Sequence, residues 1–243
     1  MAVISTSRPH ILIIPGAWYP ASTMASFAKA LEAAGFPTTV VPTRSVGTRD
    51  VSVQDDEAQS KALLLPLLDK GKDVIVLGHS YGGEAQGLNG GIIGVIYLAA
   101  FMLIEGETTF EMAGGSACPF VSADDIKETV LLLSKDQKHY FYNDLSDEIA
   151  EHIIAAVKGH SGAATMSAPL AIGWRGKAYD GHHAYIRAIQ DNTVPLKHQD
   201  ENIARSGVEW LVKSVDASHS LFVSKTDGVV GLVAELVVEF AKS

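Results

Sequence analysis

The stretch VLGHSYGGEA, residues 76–85, decides the fold class of this chain. It runs from apolar residues into the segment GHSYG, in which Ser80 lies between two glycines in the pattern G-x-S-x-G. The pattern is typical of a nucleophilic serine when a strand precedes it and a helix follows, because the sharp turn between them lifts the hydroxyl clear of the sheet edge. Without that context it is only a glycine-rich turn, so the neighbouring sequence has to decide.

The neighbouring sequence supplies the context, because short apolar runs alternate with amphipathic stretches. This alternation is typical of a parallel sheet covered by helices on both faces. The predicted strands are His10–Ile14, Thr38–Val41, Asp73–Leu77, Ile92–Leu98, Ala184–Ile189 and Glu209–Val215, and the predicted helices are Ala21–Ala34, Ser52–Lys70, Leu196–Ser206 and Thr226–Ala241. We therefore expect one α/β domain over residues 1–243, with a mainly parallel sheet of about six strands.

The alternation breaks between about Leu103 and Lys177, where the pattern predicts two or three helices and no strand. One of these helices is Asp144–Lys158, with Ile149, Ile153 and Val157 on one stripe. An insertion of this kind is predicted to form a helical cap over the carboxyl ends of the strands, where open α/β sheets bind their ligands. The cap side chains that could form the apolar walls of a pocket are Phe120, Tyr140, Phe141, Tyr142, Met166 and Trp174.

Composition excludes several function classes. The chain has 243 residues, 47% of them apolar, and its net charge of −9 argues against a nucleic-acid partner. A single cysteine, Cys118, allows no internal disulfide and no cysteine-rich metal site, and Ile11–Ile14 is too short for a signal-peptide core or a membrane span. We expect a cytoplasmic protein that acts on a small molecule without a membrane, metal or cofactor; a homodimer stays open.

A nucleophilic serine needs a histidine as its base. Among the nine histidines, only His219 follows the last predicted strand in a loop, and that loop opens at the same sheet edge as Ser80. His79 lies inside the turn and is predicted to point away from the serine, and His182 and His183 begin a strand at the opposite edge. His219 is therefore the predicted base.

The histidine in turn needs an orienting carboxylate from the same edge. Asp191 directly follows the fifth predicted strand and is the favoured acid. Glu105 and Glu107, after the fourth strand, remain alternatives, whereas Asp216 is so close to His219 in sequence that it could only cap the turn. The order Ser–Asp–His is that of the α/β-hydrolases.

An oxyanion also needs backbone N–H donors beside the serine. The turn after the first strand, at Pro15-Gly16, opens at the same edge. We assign the oxyanion hole to the amides of Ala17 and of Tyr81, the residue after the nucleophile.

Four stretches carry a family resemblance: PGAWYP, GHSYGG, YLAAFM, and the pair DNTVP and ASHS near the end. The sequence resembles the α/β-hydrolase superfamily, and within it the branch that holds plant methylesterases, hydroxynitrile lyases and many microbial and fungal relatives. The separation of 28 residues between Asp191 and His219 is similar to that of this branch. The resemblance implies that Ser80, Asp191 and His219 form a catalytic triad and that Ala17 and Tyr81 form the oxyanion hole.

Three departures from the branch bear on the reaction. Pro15-Gly16 stands where the branch usually has His-Gly, and the hydroxynitrile lyases carry threonine at Gly16 and lysine at Ser220. The two differences from the hydroxynitrile lyases favour hydrolysis of a small, fairly apolar carboxylic ester, thioester or lactone through an acyl-enzyme. Two alternatives stay open: a cofactor-free lyase or C–C bond-cleaving enzyme with His219 as base, and a weakly catalytic ligand receptor.

Overall fold

The structure is a computed structural model that describes residues 8–83, 91–115, 118–121, 131–132, 134–175 and 180–242. Most of the helix predicted to follow Ser80 falls on residues 84–90, and the predicted end of the cap falls at Lys177. Both lie outside the described residues.

Six strands form one parallel sheet, which confirms the predicted α/β architecture and strand number. The strands in chain order are β1 His10–Ile14, β2 Thr38–Val40, β3 Val74–His79, β4 Ile92–Leu98, β5 Leu131–Leu132, β6 His160–Ser161, β7 His183–Ala188 and β8 Leu211–Val215. The large sheet has the order β2-β1-β3-β4-β7-β8. The ends of these six strands differ from the predicted ends by one or two residues, because strand ends depend on pairing with neighbouring strands as well as on the apolar pattern.

Helices surround this sheet. They are α1 Ala25–Ala33, α2 Val53–Asp69, α3 Thr109–Met112, α4 Gln137–Phe141, α5 Asp147–Ile154, α6 Gly162–Met166, α7 Leu196–Ser206, α8 Leu221–Ser224 and α9 Thr226–Phe240. α1 packs against α9, α9 contacts β4 and β8, and α7 contacts β7. The inner strands β1, β3 and β4 are buried almost completely, as expected for the apolar strands of a parallel sheet covered by helices.

α2 shows how local sequence sets a helix end. The Ser52 hydroxyl accepts a hydrogen bond from the Asp55 amide, and the Asp55 carboxylate accepts one from the Ser52 amide, so the two residues form a capping box. Pro66 lies in the last turn, and the helix continues through it to Asp69. The helix thus positions Asp56, which contacts the serine turn described below.

The segment between β4 and β7 is not purely helical, so the expectation of no strand there was wrong. β5 and β6 pair antiparallel within it, and Val46 forms an isolated bridge with His160. Two-residue strands carry too little alternation to be recognised from sequence. The predicted helix Asp144–Lys158 is the shorter α5, and Ile149 is 51% exposed rather than part of a buried stripe.

None of the helices in the described parts of the chain is both long and apolar enough to cross a membrane.

Candidate active site

Ser80 lies at the turn where β3 ends and a 3₁₀ helix, Ser80–Gly83, begins. Its φ angle is +53°, in the left-handed region that non-glycine residues rarely adopt. Such strain persists only when the surrounding packing holds the residue in place, and it is characteristic of functional turns. Ser80 is 5% exposed and lines a cavity.

The glycines of the motif let three backbone segments come into close contact. A Cβ atom on Gly82 would lie 2.1 Å from the carbonyl oxygen of Ile14, and one on Gly78 would lie 2.8 Å from the carbonyl oxygen of Gly82. Real Cβ atoms do not approach so closely, so both positions require glycine. The end of β1 is therefore packed directly against the serine turn.

His219 and Asp191 form a buried pair. Nδ1 of His219 lies 2.8 Å from Oδ2 of Asp191, in the loops that follow β8 and β7. The other carboxylate oxygen, Oδ1, accepts hydrogen bonds from the amides of Thr193 and Val194 at 2.7 and 2.8 Å. Because an ionised carboxylate only accepts, Nδ1 of His219 is the nitrogen that donates in this bond, and in the neutral ring Nε2 is then the acceptor. The structure thus supplies a ring nitrogen that can accept a proton.

The other carboxylates named from the sequence are used elsewhere. Glu107 pairs with Arg205, Glu105 is exposed, and Asp216 accepts a hydrogen bond from the side-chain amide of Gln190. Asp191 is therefore the carboxylate that contacts His219.

His79 connects the serine turn with the histidine loop, a role that the sequence did not reveal. Its Nε2 donates a hydrogen bond to the carbonyl oxygen of His219 at 3.0 Å, and the two rings lie 4.8 Å apart. Burial lowers the pKa of His79 well below its usual value, so the ring is neutral.

The hydroxyl of Ser80 and the ring of His219 form no hydrogen bond among the described residues. Ligand-free sites often tighten such contacts only on binding.

The loop after β1 covers the serine. A Cβ atom on Gly16 would lie 3.0 Å from Cβ of Ser80 and from Nδ1 of His79, so a larger residue would force one of them to move. Ala17 lines the same cavity as Ser80 and Tyr81. Within the described parts of the chain, the amide of Ala17 donates no hydrogen bond. An unpaired amide beside the serine is suited to an anionic oxygen.

The cavity at Ser80 is small, and its described walls carry no charge. Counted together with the solvent space at its mouth, it measures about 480 Å³. The described residues that line it are Ala17, Trp18, Ser80, Tyr81, Phe101, Thr109, Phe110, Ala113, Cys118, Phe120, Val121, Leu132, Thr165 and Thr193. Lacking any ionised side chain in these walls, the cavity favours an uncharged, largely apolar ligand group.

The cap contributes different walls from those predicted. Of the six cap residues proposed from the sequence, Phe120 lines this cavity. Phe141 and Tyr142 instead pack on Tyr19, and Trp174 packs on Trp210. The two remaining residues, Tyr140 and Met166, are also absent from the walls of this cavity. Aromatic composition indicates burial, but which buried ring faces a cavity depends on tertiary packing.

A buried carboxylate holds the residue after the serine. The Tyr81 hydroxyl donates to Oδ2 of Asp56 at 2.9 Å, and Asp56 also accepts from the amides of Arg44 and Ser45 and from the Ser45 hydroxyl. Burial is the largest influence on this carboxyl and raises its pKa, against the opposing effect of these hydrogen bonds. The network ties the serine turn to the loop after β2.

A neutral histidine lies behind the cavity wall. The His160 ring packs 4.7 Å from the Tyr81 ring and 5.8 Å from the Trp18 ring and is 1% exposed. Neither ring nitrogen has a hydrogen-bond partner among the described residues. Burial lowers the pKa of His160 from 6.5 to about 3.

This pKa predicts an acid-sensitive stability. An unfolded imidazole takes up a proton near pH 6.5, whereas His160 stays neutral in the native protein down to about pH 3. Between these values the unfolded state binds more protons, so the free energy of unfolding falls as the pH falls. From pH 7 to pH 5 we expect His160 to account for about 2 kcal/mol of lost stability.

Denaturant unfolding of the wild type and of His160→Phe at both pH values measures this contribution. The variant should lose about 2 kcal/mol less than the wild type over the same interval. Equal losses in the two proteins would contradict the prediction. His79 is present in both proteins, so its own buried ring does not affect the difference.

Over the same described residues, no group of three or more His, Cys, Asp or Glu side chains could hold a metal ion.

Comparison with known proteins agrees with this architecture. A model of the alpha/beta hydrolase family matches residues 11–232. The chain is 26% identical over 246 residues to "Probable hydrolase R7" of Phoma sp., a match that covers 95% of this chain and 98% of that protein.

Two solved structures show a similar fold. A pyrethroid hydrolase from Sphingobium faniae JZ-2 has a TM-score of 0.76 at 19% identity, covering 97% of this chain and 99% of that one. A methylesterase from Arabidopsis has a TM-score of 0.69 at 22% identity, covering 95% and 99%. The family model spans nearly the whole sheet and both loops that carry the buried His–Asp pair, and the chain belongs to the alpha/beta hydrolase family.

Proposed function

We propose that this protein is a serine hydrolase that cleaves a small, fairly apolar carboxylic ester, thioester or lactone through an acyl-enzyme. The observation that carries the proposal is the buried contact between His219 and Asp191. Both residues lie in loops at the same sheet edge as Ser80, whose backbone is strained. The described walls of the cavity carry no ionised side chain, which supports an apolar substrate. The names of similar proteins, which include hydrolases and a methylesterase, support ester hydrolysis.

In the first proposed step, Nε2 of His219 takes the proton of the Ser80 hydroxyl while Oγ bonds to the carbonyl carbon. Asp191 holds the ring in the tautomer with the proton on Nδ1 and stabilises the cation that forms. The amides of Ala17 and Tyr81 donate to the carbonyl oxygen as it becomes negative. When the tetrahedral intermediate collapses, the bond to the leaving alcohol breaks and His219 returns its proton to that oxygen.

In the second proposed step, a water molecule gives a proton to Nε2 of His219 and its oxygen bonds to the acyl carbon. Collapse of this intermediate breaks the bond to Oγ, and the proton passes back to Ser80. The carboxylic acid then leaves the cavity. No cofactor takes part in either step.

A cytoplasmic location stays a prediction.

Two features of the site disfavour the lyase alternative. Gly16 has no room for the threonine of the hydroxynitrile lyases without a shift of Ser80 or His79. Ser220, at the position of their lysine, is fully buried and bonded to the hydroxyl of Tyr19 at 2.7 Å. A buried lysine at this position would displace that hydrogen bond and leave a charge without solvent.

A serine-directed phosphonate probe tests the proposal. We expect one adduct on the wild type by intact mass and none on Ser80→Ala, because an activated serine is needed for phosphonylation. His219→Ala should also give none, since it lacks the base. Thr193→Val, which changes another hydroxyl of the same cavity, serves as the matched control and should be labelled.

Absence of an adduct on folded wild-type protein would overturn the serine mechanism. Turnover of a substrate without an acyl-enzyme would indicate lyase chemistry, and tight binding with negligible turnover would indicate a receptor.

A further inference from the structure

A second cavity adjoins the one at Ser80. It encloses about 880 Å³ including the space at its mouth, and Ser80 is not among its lining residues. The two cavities share the walls Phe101, Ala113, Phe120 and Thr193. The two cavities are thus neighbours at these residues, and we call the second one the outer cavity.

The outer cavity differs in chemistry from the inner one. Its described lining residues include the polar side chains Asn192, His198, Glu201, Asn202 and Arg205. The Arg205 guanidinium already binds the Glu107 carboxylate through both terminal nitrogens and donates to the carbonyl oxygen of Met102 at 3.1 Å. This arginine is thus neutralised within the protein, and the cavity is better suited to a polar but uncharged group than to an anion.

Of the five polar side chains just named, Asn202 is the one that is buried. It is 5% exposed, and its carboxamide forms no hydrogen bond with any residue in the described parts of the chain. Asn192 lines the same cavity but donates its amide to the carbonyl oxygen of His139 at 3.0 Å. Because this carboxamide offers two donors and one acceptor to the cavity and has no protein partner in the described parts of the chain, Asn202 is suited to bind a ligand hydroxyl or carbonyl.

The order of the two chemical steps assigns each cavity to one part of the substrate. The acyl group stays bound through both steps, which fits the inner cavity with its buried walls. The alcohol must leave before water attacks, which fits the outer cavity with its exposed rim residues His198 and Glu201. We propose that the substrate is an ester of an apolar acid with a polar, uncharged alcohol, and that Asn202 binds a hydroxyl or carbonyl group of that alcohol. This inference rests on the proposed hydrolase function.

Matched pairs of hexanoate esters test this assignment. The pairs are propyl with 2-hydroxyethyl, butyl with 3-hydroxypropyl, and pentyl with 4-hydroxybutyl, so that the two alcohols in each pair have equal numbers of non-hydrogen atoms. In at least one pair we expect the wild type to favour the hydroxyl-bearing ester by about fivefold in kcat/KM, the size of one neutral hydrogen bond. Asn202→Leu should remove this preference.

The ratio within a pair is measured on one enzyme sample, so partial misfolding of a variant does not affect it. Asn202→Ala should give the same result as Asn202→Leu if leucine proves too large. Asn192→Leu is the matched control and should keep the wild-type ratio, because the amide that it removes is already bonded to His139.

A wild-type preference for the alkyl ester in all three pairs, or a hydroxyl preference that survives in both Asn202 variants, would overturn this inference. Either result, obtained with normal turnover of alkyl hexanoates, leaves the proposed hydrolase function standing. Absence of hydrolysis with all six esters, together with an unlabelled Ser80, would overturn the proposed function and this inference with it.

Discussion

Replacing Asp191 by asparagine is expected to lower kcat for ester hydrolysis by about 10⁴-fold while the protein stays folded. Asparagine is nearly the same shape, and its carbonyl oxygen can still accept the amides of Thr193 and Val194 that now bond to Oδ1. Its NH₂ group then faces Nδ1 of His219 in place of Oδ2. Because an NH₂ group only donates, the proton of the imidazole moves to Nε2, which can no longer take the proton of Ser80.

Steady-state kinetics on a hexanoate ester, with thermal unfolding of both proteins, measures this effect. Glu107→Gln is the matched control, since Glu107 is the other carboxylate near the strand ends but binds Arg205 rather than His219. We expect it to change kcat by no more than about threefold. If Asp191→Asn kept more than a tenth of wild-type kcat, Asp191 would not be the orienting acid.

Replacing Gly82 by alanine is expected to destabilise the whole protein. The added Cβ would lie 2.1 Å from the carbonyl oxygen and 2.7 Å from the carbonyl carbon of Ile14, so β1 and the serine turn would have to move apart. Both contacts are with backbone, which cannot rotate away as a side chain would. We expect a loss of about 3 kcal/mol or more in the free energy of unfolding, and a fall in Tm of about 6 °C or more.

Gly228→Ala is the matched control for this substitution. Gly228 lies in α9, and no atom of the described structure comes within 4 Å of an added Cβ. Alanine there should stabilise the protein by about 0.5–1 kcal/mol, because glycine loses more backbone entropy than alanine when a helix forms. Denaturant unfolding of both variants compares the two effects, and a Gly82→Ala protein as stable as the wild type would refute the packing argument.

Much of the fold could be predicted because it depends on local pattern. The short apolar run Ile11–Ile14 followed by Pro15-Gly16 predicted β1, and Ser52 with Asp55 begins α2 by contacts within four residues. β5 and β6 could not be predicted, because two-residue strands have almost no pattern of their own and form only through pairing with each other. Ile149 was misplaced for a similar reason, since its exposure depends on what packs on α5.

The candidate site likewise has residues that the sequence predicts and contacts that only the structure shows. Ser80 follows from the motif and its strand, and the parallel topology predicts that the loops carrying Asp191 and His219 open at one edge. The sequence left Glu105 and Glu107 as alternative acids, and the contact between Asp191 and His219 appears only when the loops after β7 and β8 are packed together. The bond from His79 to the His219 carbonyl also joins residues 140 positions apart.

The sequence by itself therefore determined the sheet, the serine turn and the sheet edge at which a site could form, because each of these depends on short-range periodicity and on glycines with fixed steric demands. Only the tertiary structure decided the walls of the inner cavity, where Phe120 faces the ligand space and Phe141 does not. It also showed that Asn192 is bonded to the His139 carbonyl oxygen, whereas the Asn202 carboxamide in the outer cavity has no partner in the part of the chain that the structure describes. The burial and the hydrogen bonding of a side chain depend on residues that are distant in sequence, and the composition of the chain does not predict which of these residues come into contact.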